Sequence, residues 1–229
     1  MNKITTIRGH SFYTSLVNRD SIVVDLGAHK GEFASEISSR FGCNCYLVEA
    51  LPVLFAQIAE SSSVRKFNFA MAGRDEPVEL YVSKNLEGST ISGAAAKGSE
   101  GTVTLEGITL KTLMSKAGID AIDLLKMDIE GAEIVLLEAT SDVTLASLTQ
   151  LTIEFHEFVP GLVSPQQVQK IKERLQSLGF YAIQFSRTLN TDVLFINKRR
   201  SNISRPEYLY IKYVVKYVLG IVRIFQRLL

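Results

Sequence analysis

Five side chains able to handle protons and charge fall in two short segments of this chain. Lys126, Asp128 and Glu130 lie in LLKMDIEGAE, and Glu154 and His156 lie in TIEFHEF. Side chains two apart on a strand share a face, so the spacing predicts Lys126 beside Asp128, Asp128 beside Glu130, and Glu154 beside His156. A cluster of this kind at neighbouring strand ends is costly unless its members pair or are used. As chemistry, Asp128 or His156 is a candidate base for a hydroxyl proton, with Lys126 orienting an acceptor or stabilising an alkoxide. Spacing does not rank the two bases, and a structural ion-pair network uses the same groups. Glu133 reads as an acid favoured by a helix N-terminus. An Asp/Glu/His set can also bind Mg²⁺ or Mn²⁺, but no ligand spacing singles out a metal.

A second set lies upstream. The buried-strand run IVVDL, residues 22–26, carries Asp25 near its end and opens into a loop with Gly27 and Gly31, and the strand CYLVEA brings Glu49 to its tip. Glycines let a backbone approach a ligand closely, and a carboxylate at the tip of a second strand accepts hydrogen bonds from ribose hydroxyls. The Gly27-x-x-x-Gly31 spacing departs from the G-x-G-x-x-G of nicotinamide cofactors, and Asp25 would repel a pyrophosphate. An acid at that place suits an ammonium group or a bound water. The pattern therefore favours S-adenosylmethionine, with its amine and cationic sulfur, over NAD.

The elements that must position these groups alternate. Residues 8–19 are predicted as a helix over the sheet, with Phe12, Leu16 and Tyr13 inward. Strand 22–26, helix 32–41, strand 45–50, helix 52–61 begun by Pro52, and strand 64–72 follow. Strands within 77–83 and 102–110 flank a Gly-, Ser- and Ala-rich stretch, 84–101, read as a loop near the ligand. Helix 109–117, strand 122–128, a helix over GAEIVLLEAT, strand 151–158 and helix 164–179 come next, the last capped by Ser164 with Pro165 in its first turn. FYAIQFS and DVLFINK form a closing antiparallel hairpin. The prediction is one α/β three-layer sandwich with helices on both faces of a mostly parallel sheet and an antiparallel last strand. Residues 1–200 form the domain, and 201–229 form a tail.

Composition agrees. The chain of 229 residues is 46% hydrophobic and 21% charged, as in a folded protein, and its net charge of +1 supplies no field to recruit nucleic acid. Cys43 and Cys45 are expected as small buried residues on one strand face, not as a zinc site or a disulfide framework, which fits a reducing compartment. The N-terminus lacks the apolar run of a signal peptide, so a cytoplasmic location is expected.

DLGAHKGEFA, the VEA of 48–50, NFAMAG of 68–73, LLKMDIEGAE of 124–133 and TIEFHEF of 152–158 resemble the FkbM-type S-adenosylmethionine-dependent methyltransferases. The resemblance spans about 20–197, and K-x-D-x-E-G-x-E is its specific part. It implies a class I methyltransferase (Rossmann-like) fold of seven strands and O-methylation, commonly of sugar or glycan-type hydroxyls. It also implies a cofactor held by Asp25, Gly27, Ala28, His29, Gly31, Phe33, Glu49, Ala50 and the loop Asn68–Ala70, with Asn68 near the adenine. His29 stands where the family more often has Asn; a polar donor is retained.

The segment 208–229, YLYIKYVVKYVLGIVRIFQRLL, is unlike the rest. At 100° per residue Lys212, Lys216, Arg223 and Arg227 fall at about 0°, 40°, 20° and 60°, a narrow basic stripe on an apolar helix. This fits a helix lying in an anionic membrane interface; docking on its own domain or on a second copy is the alternative. The sequence thus points to an O-methyltransferase of a sugar, glycan or glycolipid-type acceptor, peripheral on the inner face of a membrane. The rival readings are a non-catalytic assembly module and an NAD-dependent oxidoreductase.

Overall fold

The computed structural model describes residues 3–83, 89–91 and 99–218. The chain opens with a hairpin of β1 (Ile4–Ile7) and β2 (His10–Tyr13), followed by a 3₁₀ turn at Thr14–Leu16. This corrects the helix predicted over 8–19. The four-residue step from Phe12 to Leu16 imitated a helix, whereas Arg8 and Gly9, with φ of 48° and 89°, make a two-residue turn whose twist suits a hairpin.

Next come β3 (Ile22–Leu26), α1 (Glu32–Phe41), β4 (Asn44–Val48), α2 (Pro52–Phe55) and β5 (Val64–Phe67). Helix α2 is shorter than the predicted 52–61, and the predicted strand 64–72 is divided into β5 and the two-residue β6 (Ala70–Met71). Strand β6 joins β7 (Pro77–Val82) and β8 (Gly101–Ile108) in a separate three-stranded sheet of order β6-β8-β7. The part of the predicted ligand loop at 84–88 and 92–98 lies outside the described residues. The chain continues through α3 (Leu110–Ala117), β9 (Ile122–Met127), α4 (Glu133–Ala139), α5 (Asp142–Ala146) and β10 (Leu148–Ile153). Then follow α6 (Pro165–Ser177), β11 (Phe180–Gln184), β12 (Val193–Asn197), the single-turn α7 (Lys198–Ser201) and α8 (Arg205–Tyr210). Helix α8 runs on through a π-type segment, Ile211–Val215. Ser164 caps α6 in a full capping box with Gln167.

The main sheet has seven strands in the order β11-β12-β10-β9-β3-β4-β5. Strands β10, β9, β3, β4 and β5 run parallel, and β12 is antiparallel to both β10 and β11. The predicted fold class, a mostly parallel seven-stranded sheet whose last strand is reversed, is the one observed. The order turns at β3, which puts a crevice outside the carboxyl ends of β3, β4 and β9, where open α/β sheets bind ligands.

The two faces are covered differently. Side chains from α3, α4 and α6 form the larger core with alternate residues of the sheet, among them Leu26, Leu125, Leu151 and Phe195. On the other face α1 packs with Phe12 of the hairpin over Val23, Leu47 and Leu124. Beside it, Ile4 and Tyr13 of the hairpin meet Ile211 and Val215 of the terminal helix over Ile183, Leu194 and Ile196. Cys43 and Cys45 are buried free thiols 3.9 Å apart in the α1 core.

Candidate active site

Two loops meet at the turning point of the sheet. After β3 the chain turns at Gly27 (φ 77°), passes His29 (φ 51°) and enters α1 from Gly31 (φ 78°). A Cβ on Gly27 would lie 1.8 Å from the Asp128 carbonyl oxygen, so only glycine lets this loop pass the end of β9. Gly31 faces inward instead: its Cβ would meet Leu47 and Ile58 at 3.2 and 3.3 Å.

Glu49, just past β4, ties the loops together. Its Oε2 accepts from the His29 N–H at 2.7 Å and its Oε1 from the Leu51 N–H at 2.9 Å. Burial raises its carboxyl pKa, against those two bonds. Each oxygen keeps a lone pair for a further donor. Asn68 braces the same turn, its amide donating to the carbonyls of Glu49 at 2.8 Å and Ala50 at 2.9 Å. Both amide protons are therefore committed to backbone.

Beyond Glu49 a crevice of about 420 Å³ runs toward β9 and β10. Gly27, Ala28, His29, Phe33, Glu49, Ala50 and Ala70 line it, as do Lys126, Asp128, Glu130, Glu154 and His156. Of the residues expected at the cofactor, Asp25, Gly31 and Asn68 are not in its wall. Asp25 is wholly buried beneath the glycine loop, where burial raises its pKa against the pull of Lys126.

Lys126 is the keystone between the loops. Its Nζ donates to the Gly27 carbonyl at 2.7 Å, lies 3.1 Å from Asp25 Oδ1, and stands 3.6 Å from Asp128 Oδ2. Burial opposes its charge, but Asp25 and Asp128 outweigh that and hold its pKa above the usual lysine value. With its protons directed at protein groups, Lys126 fixes the site and has little left for an acceptor.

Asp128 follows β9 directly. Its Oδ2 is 3.4 Å from His10 Nε2, and its Oδ1 is 3.6 Å from His156 Nε2. Burial works against its charge, yet Lys126, His10 and His156 together hold its carboxyl below the ordinary range. The turn that follows is strained, with Glu130 at φ 53° before Gly131 at φ 97°. Glu133, fully buried, fastens that turn by accepting from the N–H groups of Ile129 at 3.1 Å and Gly131 at 3.2 Å. The same oxygen meets His156 Nδ1 at 2.9 Å, while His156 Nε2 is 3.2 Å from Glu130 Oε2. Despite burial, this pair of carboxylates pushes His156 up to about 11, so at neutral pH it is a cation with both nitrogens engaged.

Glu154 differs from its neighbours. Strand β10 ends at Ile153, so Glu154 and His156 lie on the loop after it, not on a common strand face as their spacing suggested. The loop nevertheless brings both to the crevice. The Glu154 carboxylate makes no hydrogen bond or ion pair within the described residues. Burial and the adjacent Asp128 push it up to about 7.

Sequence reasoning missed two members. Glu133 was read as a helix-start acid, although it anchors His156. His10 was assigned to a helix, although its imidazole, 1% exposed, reaches the crevice from the hairpin. The Arg8–Gly9 pair before HSFY, which ends in two aromatic residues suited to a strand, was the available signal. Two trios, His10/Asp128/Glu154 and Asp128/Glu130/His156, have donor atoms within 4.8 Å of one another. Lys126 and the His156 cation already occupy the charge a metal would answer.

The residues present fit S-adenosylmethionine. Glu49 carries carboxylate oxygens of the kind a ribose diol would bond, Ala28 and Ala50 are small, and Leu51, Leu54, Phe69 and Met71 make an apolar wall that would suit a flat base.

The methyltransferase FkbM domain matches residues 25–181. Among solved structures the chain is similar to a precorrin-6y C5,15-methyltransferase from Geobacter metallireducens GS-15, at 11% identity over 79% of this chain and 80% of that one, with a TM-score of 0.41. A TehB-like SAM-dependent methyltransferase from Corynebacterium glutamicum is similar at 13% identity over 80% and 84%, with a TM-score of 0.42. Aeropyrum pernix fibrillarin in complex with S-adenosyl-L-methionine is similar at 10% identity over 80% and 68%, with a TM-score of 0.43. No functionally curated protein matches the chain.

Proposed function

The chain belongs to the FkbM methyltransferase family and is an S-adenosylmethionine-dependent methyltransferase, and on that premise we propose that it methylates a hydroxyl oxygen with Glu154 as the general base. S-adenosylmethionine supplies the activated methyl group. The carrying observation is the Glu154 carboxylate, unpaired among the described residues and poised at about 7 in the crevice. A hydroxyl must lose its proton as the oxygen attacks, and a base contributes most when its pKa lies near the working pH. His156, cationic and tied to Glu130 and Glu133, cannot take that proton at neutral pH. It serves to hold Asp128 and Glu130, while Lys126 fixes the glycine loop against Asp128.

The acceptor is a sugar, glycan or glycolipid-type hydroxyl. Phe158, whose ring lies 5.3 Å from that of His156, offers an aromatic face beside the acceptor oxygens of Glu130 and Glu154. Apolar faces and hydroxyls are what a sugar presents to such a wall. The terminal helix adds a reason to favour a lipid-linked acceptor. While Ile211 and Val215 are buried on the domain, Leu209, Tyr210, Tyr213, Val214, Tyr217 and Val218 form an exposed stripe at helical spacing. Lys212 and Lys216 stand beside it, and Arg223 and Arg227 lie outside the described residues. A tyrosine-rich stripe flanked by lysines suits peripheral association with the inner, cytoplasmic face of an anionic membrane. No helix among the described residues is long and apolar enough to cross a membrane. In this reading 1–200 is the catalytic domain and 201–229 its attachment.

The experiment is tritiated methyl transfer from S-adenosylmethionine to a panel of alkyl glycosides, with alkyl amines and fatty acids alongside. Base-stable labelled ethers on glycosides support O-methylation of a sugar. Labelled amines, or base-labile esters, would sink it. If no acceptor is labelled while S-adenosylhomocysteine binds, the rival of a non-catalytic module gains. Binding of NAD in place of the sulfur ligand would favour the oxidoreductase.

A further inference from the structure

We propose that His10 is a positioning residue of this site, carried by the N-terminal hairpin to Asp128 and fixing that carboxylate through the oxygen His156 does not face. The inference rests on the crevice being the methyl-transfer site. His10 lies outside residues 25–181, so the family match assigns it nothing.

The hairpin is built to hold this residue still. Its two-residue turn, with both central residues left-handed, sets Ile7 opposite His10. Alternate residues of β2 then serve opposite sides. Ser11 donates to Asp192 from its N–H at 2.9 Å and from its Oγ at 2.7 Å. Tyr13 exchanges two bonds with the Gln150 side chain: its N–H donates to Oε1 at 2.9 Å and its carbonyl accepts from Nε2 at 3.2 Å. The Tyr13 hydroxyl donates to Glu207 of α8 at 2.6 Å, and Lys3 pairs with that same carboxylate. Residues 11 and 13 are thus pinned to the sheet and the terminal helix. His10 and Phe12 face the other way, onto α1, with Phe33 edge-on to both at 6.0 and 6.4 Å.

A phenylalanine at position 10 would suit that aromatic cluster and would bury no polar atom. Among the described residues the imidazole instead leaves its buried Nδ1 without a partner, a cost to stability. What the ring gains is Nε2, 3.4 Å from Asp128 Oδ2 and within 4.8 Å of Glu154. Asp128 is then faced by the His10 imidazole, by the cations Lys126 and His156, and by the carboxyl groups of Glu130 and Glu154. With both its oxygens engaged, Asp128 is held in one orientation and stays ionised beside Glu154. That in turn keeps the Glu154 proton affinity high.

The test uses the full chain with ¹³C-labelled carboxylates, the Asp128 resonance being assigned with Asp128→Asn. In His10→Phe, Asp128 is expected to titrate at higher pH than in the unsubstituted chain, with S-adenosylhomocysteine affinity within about threefold. Methyl transfer to any glycoside that the unsubstituted chain labels falls about tenfold or more. His10→Gln, whose amide can donate from the place of Nε2, recovers both. A folded His10→Phe whose Asp128 titrates unchanged overturns the proposal, even where transfer slows. Should His10→Phe not fold, the reciprocal measurement decides: Asp128→Asn must shift the ¹⁵N resonance of His10 Nε2, and an unmoved resonance overturns the proposal. If the unsubstituted chain fails to bind S-adenosylhomocysteine, the reading of the crevice fails instead, and the Asp128 titration still reports on His10.

Discussion

A carboxylate gains proton affinity when water is removed from it and another negative charge stands near. Glu154 has both conditions, and Asp128, one ion-pair network away, has the opposite balance. Two acids in one crevice are thereby driven apart in pKa, the pattern that separates a base from a fixed charge. Glu154→Gln is expected to slow methyl transfer by about 10²–10⁴-fold, with S-adenosylhomocysteine affinity retained and the rise in rate near pH 7 absent. Unchanged rates, measured by tritium transfer from pH 5 to 9, would assign the proton to another group. His156 makes a stability argument. Its folded value of about 11 lies above the ordinary histidine value of 6.5, so its contribution is complete below about 6.5 and is lost as pH rises through about 11. Urea denaturation should show stability falling over that alkaline window. Glu133→Gln should flatten the fall and cost about 3 kcal/mol at pH 7, because it removes one partner from a buried pair. A steeper alkaline fall in the variant would contradict this.

At the scale of elements, the glycine loop is the most constrained piece. Gly27→Ala puts a methyl group onto the Asp128 carbonyl at a left-handed φ, so the β3 and β9 ends must separate. Loss of S-adenosylhomocysteine binding is expected, with a thermal midpoint lowered by about 4 °C or more, read by calorimetry and circular dichroism. Full affinity would show that the loop does not hold the cofactor. The βαβ core was legible in the sequence because its strands are continuous apolar runs and its helices repeat every three to four residues, as with Phe33, Ile37 and Phe41. The cluster of Lys126, Asp128, Glu130, Glu154 and His156 was legible because strand ends converge wherever the parallel order turns. Two elements misled. In residues 8–19 a four-residue apolar step outweighed the Arg8–Gly9 turn, which hid His10. In TIEFHEF the alternation continued past Ile153, although the chain had already left the sheet, so the face shared by Glu154 and His156 was inferred from a strand that ends before them. Asp25 and Asn68 were named for the cofactor on residue type, but Asp25 is buried as the ion-pair partner of Lys126 and the Asn68 amide goes to backbone carbonyls, something only the folded register reveals.

At the scale of the molecule, the family core is flanked by a hairpin and a terminal helix that share one face of the sheet and hold each other through Glu207, Tyr13 and Lys3. A chain ending at Ser204 uncovers Ile4, Ile183 and Ile196, and is expected to unfold at lower temperature than the full chain. An equal midpoint would mean the helix is not part of the fold. Replacing Tyr210, Tyr213 and Tyr217 together by Ser, all on the exposed stripe, should leave that midpoint in place and weaken co-flotation with phosphatidylglycerol vesicles. Undiminished flotation would exclude the stripe as a membrane contact. Every role assigned above requires the crevice to hold S-adenosylmethionine through Glu49 and the glycine loop. That requirement is tested most directly by titrating the full chain with S-adenosylhomocysteine in a calorimeter, beside Glu49→Gln and with NAD as control. Micromolar binding that weakens about tenfold or more in the variant is expected, since a buried carboxylate loses its charge toward two hydroxyl donors. Equal affinity of Glu49→Gln, or preferential binding of NAD, would contradict it.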